Sequence, residues 1–254
     1  MLSLSNIRVS YEGSRILRDV SLAVGPGEVV CLMGRNGVGK TTTLKAIIGL
    51  VKLDSGSIKL GGAELLGARP ETRARRGLGY VPQGRDIFPN LTVWENLRLG
   101  AVAQGRTLNG EVDRVFQLFP GLKDMTQRKG GVLSGGQQQQ LAIGRALLTN
   151  PKVLLLDEPT EGIQPNIIDQ IGATIKKLRA HGFGEDEGKC VEEIGDAIRQ
   201  LRKERKIGIL LVEQNLDFCI EVGDRFYIMD RGSIVAQGTI SELNNELIKQ
   251  HLTV

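Results

Sequence analysis

The chain of 254 residues is 41% hydrophobic and 24% charged, with a net charge of +4. That length suits one large α/β domain with its own core, and the composition excludes a disordered or collagen-like chain. Apolar runs such as 153–156 and 207–212 fall far short of the ~20 residues of a membrane-spanning helix. No basic-then-apolar leader opens the chain, so a cytosolic protein is expected. Cys31, Cys190 and Cys219 have no metal-ligand spacing and are expected to be reduced thiols. Arg69, Arg73, Arg75 and Arg76 form the densest basic cluster. No aromatic residues interleave with them to stack bases, so they read as a solvated helix face and no nucleic-acid partner is expected.

Taken in chain order, Leu2, Leu4 and the Ile7-Arg8-Val9 stretch read as a strand, and residues 21–24 as its partner. Gly25-Pro26-Gly27 then turns the chain into 29–33, a continuous apolar run of the kind buried on both sheet faces. A glycine-rich loop and a helix over about 40–50 follow, then a short strand at 58–60 between glycine turns. Residues 86–150 are mostly helical, with apolar spacing through Val112, Val115, Phe116 and Leu118. Two more buried strands are expected at 153–157 and 207–212, and a hairpin at 226–236 around Arg231-Gly232. Thr239 and Glu242 read as a capping box for a last helix carrying Leu243, Leu247 and Ile248. Strands alternating with helices imply a parallel sheet with covered faces.

Two segments carry chemistry. Gly34-Arg35-Asn36-Gly37-Val38-Gly39-Lys40-Thr41, followed by Thr42, fits the phosphate-loop spacing and lies between a buried strand and a helix. The glycines let backbone N–H groups turn inward around phosphates. Lys40 supplies a cation, Thr41 a hydroxyl for Mg²⁺, and the helix N-terminus roughly half a positive charge. The strand at 153–157 ends in Asp157-Glu158. Asp157 is placed to hold the Mg²⁺ shell and Glu158 to polarise an attacking water. Together they point to nucleotide binding with a catalytic option.

Leu133-Ser134-Gly135-Gly136-Gln137 resembles the signature motif of ATP-binding cassette (ABC) proteins, with Gln83 about midway between it and the phosphate loop. The resemblance spans essentially the whole chain. It implies an α/β cassette fold in one domain over 1–254: a phosphate-loop core with a parallel sheet, an N-terminal antiparallel β subdomain and an inserted helical subdomain over 86–150. It further implies an ATPase with ATP and Mg²⁺ as cofactors, working as a homo- or heterodimer of ATP-binding subunits. In the family each signature completes the opposite subunit's phosphate-loop site. Integral-membrane permease subunits are the implied partners, which would hold this chain peripherally at the cytoplasmic face of a bacterial inner membrane. Tyr11 sits where the family stacks an aromatic on adenine, and Gln83 resembles the glutamine that links nucleotide and metal to the helical segment. The catalytic set so implied is Glu158, Gln214 and Gln83, with Thr41, Gln83 and Asp157 at the metal. Physically, Ser134 and the glycines offer a second anion site at a helix start.

The motifs Val81-Pro82-Gln83-Gly84-Arg85 and Thr160-Glu161-Gly162-Ile163-Gln164-Pro165 are most similar to importer subunits for branched-chain amino acids and urea. The run Gln137 to Gln140 and the terminal His251-Leu252-Thr253-Val254 resemble the urea branch. Two departures from the general pattern stand out. Gln164 replaces an aspartate, and Gln214 replaces the switch histidine; the latter hydrogen-bonds but cannot titrate. These departures leave room for a binding-only regulatory cassette. A soluble cassette acting on DNA or ribosomes would interrupt the core with a coiled coil or zinc site, or fuse two cassettes, and this sequence does neither.

Residues 168–179 (IDQIGATIKKLR) and 191–202 (VEEIGDAIRQLR) repeat at an offset of 23. Both put apolar residues on one helix face. Both also keep an interior glycine, a costly choice in a helix, which points to tandem duplication. One crossover helix suffices between the flanking strands, so 181–203 is expected to be surplus: a glycine-rich, acidic linker and an exposed second copy that can be deleted.

Overall fold

The computed structural model describes residues 1–105, 107–108, 110–162, 185–204 and 207–252. The chain opens as an antiparallel hairpin of β1 (Leu2–Tyr11) and β2 (Ser14–Val24), so the second strand starts at Ser14 rather than at 21. Leu2, Leu4, Ile7 and Val9, with Leu17, Val20, Leu22 and Val24, turn inward, the period of two that pleating imposes. With β4 (Ser55–Leu60) and β5 (Ala63–Glu64) they form a sheet in the order β2-β1-β4-β5.

The second sheet holds β3 (Val29–Met33), β6 (Leu78–Val81), β7 (Val153–Asp157), β8 (Gly208–Val212), β9 (Arg225–Asp230) and β10 (Ser233–Thr239), in the order β10-β9-β3-β8-β7-β6. All its pairings are parallel except β9 with β10. Alternate residues of one strand serve two cores. Val30 and Leu32 of β3, Leu155 of β7 and Leu210 of β8 face the first sheet and α1 (Lys40–Ile48). Val29, Cys31, Leu154, Leu156, Ile209 and Leu211 face a helical layer on the other side. Burial on both faces is why these strands read as unbroken apolar runs. All three cysteines are buried and none is joined in a disulfide.

Between β6 and β7 lie the α-helices α3 (Val93–Val102), α4 (Glu111–Leu118), α5 (Pro120–Asp124) and α6 (Gly135–Leu147). Short α2 (Pro70–Arg75) precedes β6 and carries part of the arginine cluster. That cluster is not a uniformly solvated face. Arg73 is buried and its Nη1 donates to the carbonyls of Ala46 and Ile47, each at 2.8 Å. It closes the C-terminal end of α1, whose last carbonyls have no intrahelical donor. At the chain's end, Thr239 and Glu242 form a capping box over a single 3₁₀ turn, Ile240–Glu242. The last helix, α9 (Asn245–His251), is capped instead by the Asn244 side chain.

The second copy of the repeat lies in α7 (Glu185–Lys203). It packs on α4, on α6 and on α8 (Leu216–Val222). Ile194, Ile198 and Leu201 are at most 2% exposed and share the core with Ile209 and Phe218. The expected linker at 181–189 is helical from Glu185 onward. The first copy, 168–179, lies outside the described residues. The expectation that the second copy is exposed is therefore corrected: its apolar stripe at Ile194, Ile198 and Leu201 packs into the core on that sheet face. Ile198→Ala is expected to lower unfolding free energy by about 2–5 kcal/mol, measured by urea titration. A loss below about 0.5 kcal/mol would mean that this face is not part of the cooperative core.

Candidate active site

The site is built where β3, β7 and β8 end side by side. β3 runs into Gly34, whose φ of 150° and 2.3 Å gap between an ideal Cβ and the Met229 carbonyl oxygen admit no side chain. Gly39, at φ 112°, backs onto Leu17. Arg35, Asn36 and Gly37 are exposed on the crest of the loop and Val38 is half-buried. Gly39 caps α1 without a side-chain hydrogen bond, and no acidic residue lies in the first turn. The N-terminal N–H groups and the positive end of the helix are thus left available to an anion. Thr41 and Thr42 are half-buried on that first turn.

Lys40 is only 4% exposed. Its Nζ donates to the carbonyls of Gly34 (2.7 Å) and Arg35 (3.0 Å) and stands 3.8 Å from Glu158 Oε1. Burial lowers its pKa, and the charges of Glu158, Asp157 and Glu213 oppose that shift. Asp157 accepts from the Thr41 hydroxyl at 3.2 Å and from the Tyr80 hydroxyl at 3.4 Å. Burial pushes the Asp157 carboxyl up to about 6, against the Thr41 hydrogen bond, and neighbouring Glu158 pushes it further. Burial, then the nearby Asp157 charge, also raises the Tyr80 phenol.

Glu158 takes a left-handed backbone, φ 50°. Its Oε1 accepts from Gln214 Nε2 at 2.7 Å, and its Oε2 faces Gln83 Nε2 at 3.4 Å. Gln83 donates more closely to Glu161 Oε2, at 2.8 Å. Of the expected metal set, Thr41 and Asp157 are brought together, while Gln83 is turned to the two glutamates. Oxygen donors from one hydroxyl and one carboxylate fit Mg²⁺, which completes its shell with phosphate and water. Among the described residues no cluster of three His, Cys, Asp or Glu competes for a metal. Tyr11 is 42% exposed at the tip of the β1–β2 hairpin. The hairpin's Leu17, on β2, is the residue that backs Gly39. A cavity of about 380 Å³ opens beside Gly34, Arg35, Asn36 and Gln214, closed at the far side by Ile248 and Leu252.

The signature residues start α6. Ser134 accepts from Gln137 N–H at 3.3 Å, and Gln137 Oε1 accepts from Ser134 N–H at 3.1 Å. Gly135 is half-buried and Gly136 is buried behind them. An ideal Cβ on Gly135 would lie 3.0 Å from Arg85 Nη2, which donates to the Glu161 carbonyl at 3.1 Å. Arg85 therefore spans from the signature to the loop after Glu158. Sequence reasoning gave no role to Arg85, Tyr80 or Glu213. No local pattern marks them; only the positive φ of Arg85 (75°) and the strand-end positions set them apart. Gln164 lies outside the described residues.

The model of the family described as "ABC transporter" matches residues 17–161. The chain is 39% identical to the high-affinity branched-chain amino acid transport ATP-binding protein BraG of Pseudomonas aeruginosa, over 94% of this chain and 93% of BraG. It is 34% identical to the lipopolysaccharide export system ATP-binding protein LptB of Haemophilus influenzae, over 98% of this chain and 95% of LptB. The structure of the dimeric bacterial ABC transporter cassette MJ0796 aligns with a TM-score of 0.76 at 25% identity, over 94% of this chain and 99% of that one. The fold and site define a phosphate-loop ATPase of the cassette type. The chain belongs to the ABC transporter family as an ATP-binding subunit, and ATP hydrolysis is its activity. Cassettes of this family dimerise and pair with membrane permeases. Among the described residues no helix is long and apolar enough to cross a membrane.

The raised Asp157 carries a stability consequence. Its pKa moves from 3.8 up to about 6 on folding, so its contribution is full below the lower value and is lost as pH rises through the upper one. In nucleotide-free, metal-free protein, Asp157→Asn is expected to be more stable than wild type by about 1–3 kcal/mol at pH 7.5. The gap should close toward pH 4.5 in thermal melts. A gap that stays constant across that range would show that Asp157 ionises without cost.

Proposed function

We propose that this chain is the ATP-hydrolysing subunit of an ABC importer, docked at the cytoplasmic face of a bacterial membrane. The observation that carries the mechanism is Glu158, held by Gln214 and set beside Lys40 at the end of β7. Lys40 and the N–H groups of residues 34–42 hold the β- and γ-phosphates. Thr41 and Asp157 hold Mg²⁺, which neutralises phosphate charge when bound. Glu158 accepts a proton from the water that attacks the γ-phosphate, and Gln214 keeps its carboxylate in place. Tyr11 stacks on adenine. Gln83, joined to Glu158 and Glu161, links the nucleotide to the helical subdomain as a single-domain cassette requires.

Two chains, identical or paralogous, enclose two ATPs. The start of α1 carries no side-chain cap, and the Ser134-Gly135-Gly136 start of α6, whose capping box occupies the Ser134 and Gln137 N–H groups, is read as the second phosphate-facing end, completing the site of the other subunit. A cavity of about 480 Å³ lies between α2, α3 and α6, lined by Ile48, Ala74, Tyr80, Phe88, Leu99 and Arg145. Its apolar lining suits a short helix of a permease. Urea is the solute that the Gln137–Gln140 run and the chain terminus favour. A branched-chain amino acid is the second reading, favoured by the likeness to BraG. The segment 168–179 is read as the surplus product of a tandem duplication.

Phosphate release by the complex, reconstituted with its permease and solute-binding protein, tests the reading. Turnover should rise with urea-loaded binding protein. A rise with leucine alone would move the solute to the second reading, and no rise with any solute would sink the importer. Glu158→Gln is expected to cut turnover by about 10²–10⁴ with ATP affinity unchanged. In that background MgATP should drive dimerisation, and adding Ser134→Arg should abolish it in light scattering. A dimer that still formed would contradict the shared site.

A further inference from the structure

Glu213 follows the last residue of β8 and is 2% exposed. A carboxylate buried this deeply needs its oxygens filled, and here they are filled from two directions. Oε1 accepts from the Thr160 N–H at 2.9 Å and the Thr160 hydroxyl at 2.6 Å. Oε2 accepts from the N–H groups of Gln214 at 2.9 Å and Asn215 at 3.1 Å. One side chain thus ties the chain two residues after Glu158 to the segment that carries Gln214. Those two residues are themselves joined by the 2.7 Å bond from Gln214 Nε2 to Glu158 Oε1.

The tie matters because Glu158 is strained. A left-handed backbone strains a non-glycine residue and persists only where the surroundings over-determine it. Glu158 N–H donates to the Val212 carbonyl at 2.8 Å, which fixes the residue from its N-terminal side. On its C-terminal side the Glu158 carbonyl accepts from the Glu161 N–H at 3.0 Å, and Thr160, between them, is tied to Glu213. Val212 and Glu213 are adjacent, so one point on β8 grips the loop at both ends of the strained residue.

We propose that Glu213 is a positioning residue for ATP hydrolysis. It locks the 158–160 loop to the 213–215 segment, so that the Glu158 carboxylate and the Gln214 carboxamide keep one relative geometry. The proposal rests on the reading of Glu158 as the group that polarises water. All four groups facing Glu213 Oε1 and Oε2 are donors, which makes glutamine a specific probe. Its carboxamide has nearly the same shape but turns an N–H₂ toward one donor pair. Either the Thr160 tie or the Gln214-Asn215 tie must break, while volume and burial are kept. Aspartate retains both acceptor oxygens one methylene short and should recover part of the effect.

The test is phosphate release by the full-length subunit at saturating MgATP, beside nucleotide affinity and thermal melts. Glu213→Gln should lower kcat by about 10–100-fold, with ATP affinity within about threefold and the fold intact. Glu213→Asp should lie between it and wild type. Wild-type kcat in Glu213→Gln overturns the proposal. So does a fall in kcat matched by an equal fall in affinity or in folded fraction, because a merely structural role predicts that. Should Glu213→Gln not fold, Thr160→Val removes the 2.6 Å hydroxyl bond alone. It should lower kcat by about 3–10-fold at constant affinity, and an unchanged kcat there overturns the proposal equally. Glu158→Gln, run alongside, separates the two readings. If it keeps turnover, the role of Glu158 fails; if it is dead while Glu213→Gln is normal, only the role of Glu213 fails.

Discussion

The parallel register of β7 and β8 is the constraint on which the site depends. Asp157 lies opposite Val212, and Leu32 of β3 lies opposite the same Val212. Three strands therefore end at one level, and the residue just beyond each end belongs to the proposed site: Gly34 after β3, Glu158 after β7, Glu213 after β8. A slip of one residue would turn every strand side chain to the other face. It would exchange Leu154 and Leu156 for Leu155 between the two cores and carry the acidic pair away from Lys40. Packing on both faces of the sheet, rather than any contact within the site, keeps that from happening. The hydrophobic alternation is thus also what aims the catalytic groups.

Electrostatically the site is arranged for charge that arrives with the nucleotide. Lys40 is buried and folds back on the carbonyls of its own loop, and three carboxylates stand around it. Asp157 is pushed up to about 6 because water is excluded from it faster than cations are supplied. Such a cluster costs stability in the empty protein, the usual tension between a functional site and the fold that carries it. Bound phosphates and a divalent ion would relieve both sides at once. Phosphates satisfy Lys40 and the α1 N-terminus, and the ion satisfies Asp157. Gln214 adds no charge to this balance. A hydrogen-bonding carboxamide beside Glu158 holds the carboxylate without itself titrating near neutral pH.

Much of this was readable from the sequence because the chemistry is contiguous. The phosphate loop, the Asp157-Glu158 strand end and the Leu133 to Gln137 signature each lie within a few residues, and their strand and helix contexts follow from apolar periodicity. What was not readable depends on residues far apart in the chain. Arg73 caps α1 from 27 positions away, and Tyr80 reaches Asp157 across 77. Arg85 and Glu213 act through backbone groups that no side-chain pattern announces. The repeat is an instructive miss. Two copies with the same apolar face cannot be ranked by periodicity, and a glycine-rich, acidic stretch before the second copy read as a linker, although helix begins at Glu185. The terminal capping box was chemically right but closes only a 3₁₀ turn, since Asn244 offers a better cap one turn later.

In the proposed mechanism Glu158 and Gln214 act as one unit, the carboxylate doing the chemistry and the carboxamide holding it. A double-mutant cycle on single-turnover ATP hydrolysis tests this most directly, with Gln214→Ala measured in the wild-type and the Glu158→Gln backgrounds. The account predicts a loss of about 10–100-fold from Gln214→Ala in wild type and almost none once Glu158 is replaced. Equal losses in both backgrounds would contradict it, because Gln214 would then be serving the nucleotide independently of the carboxylate.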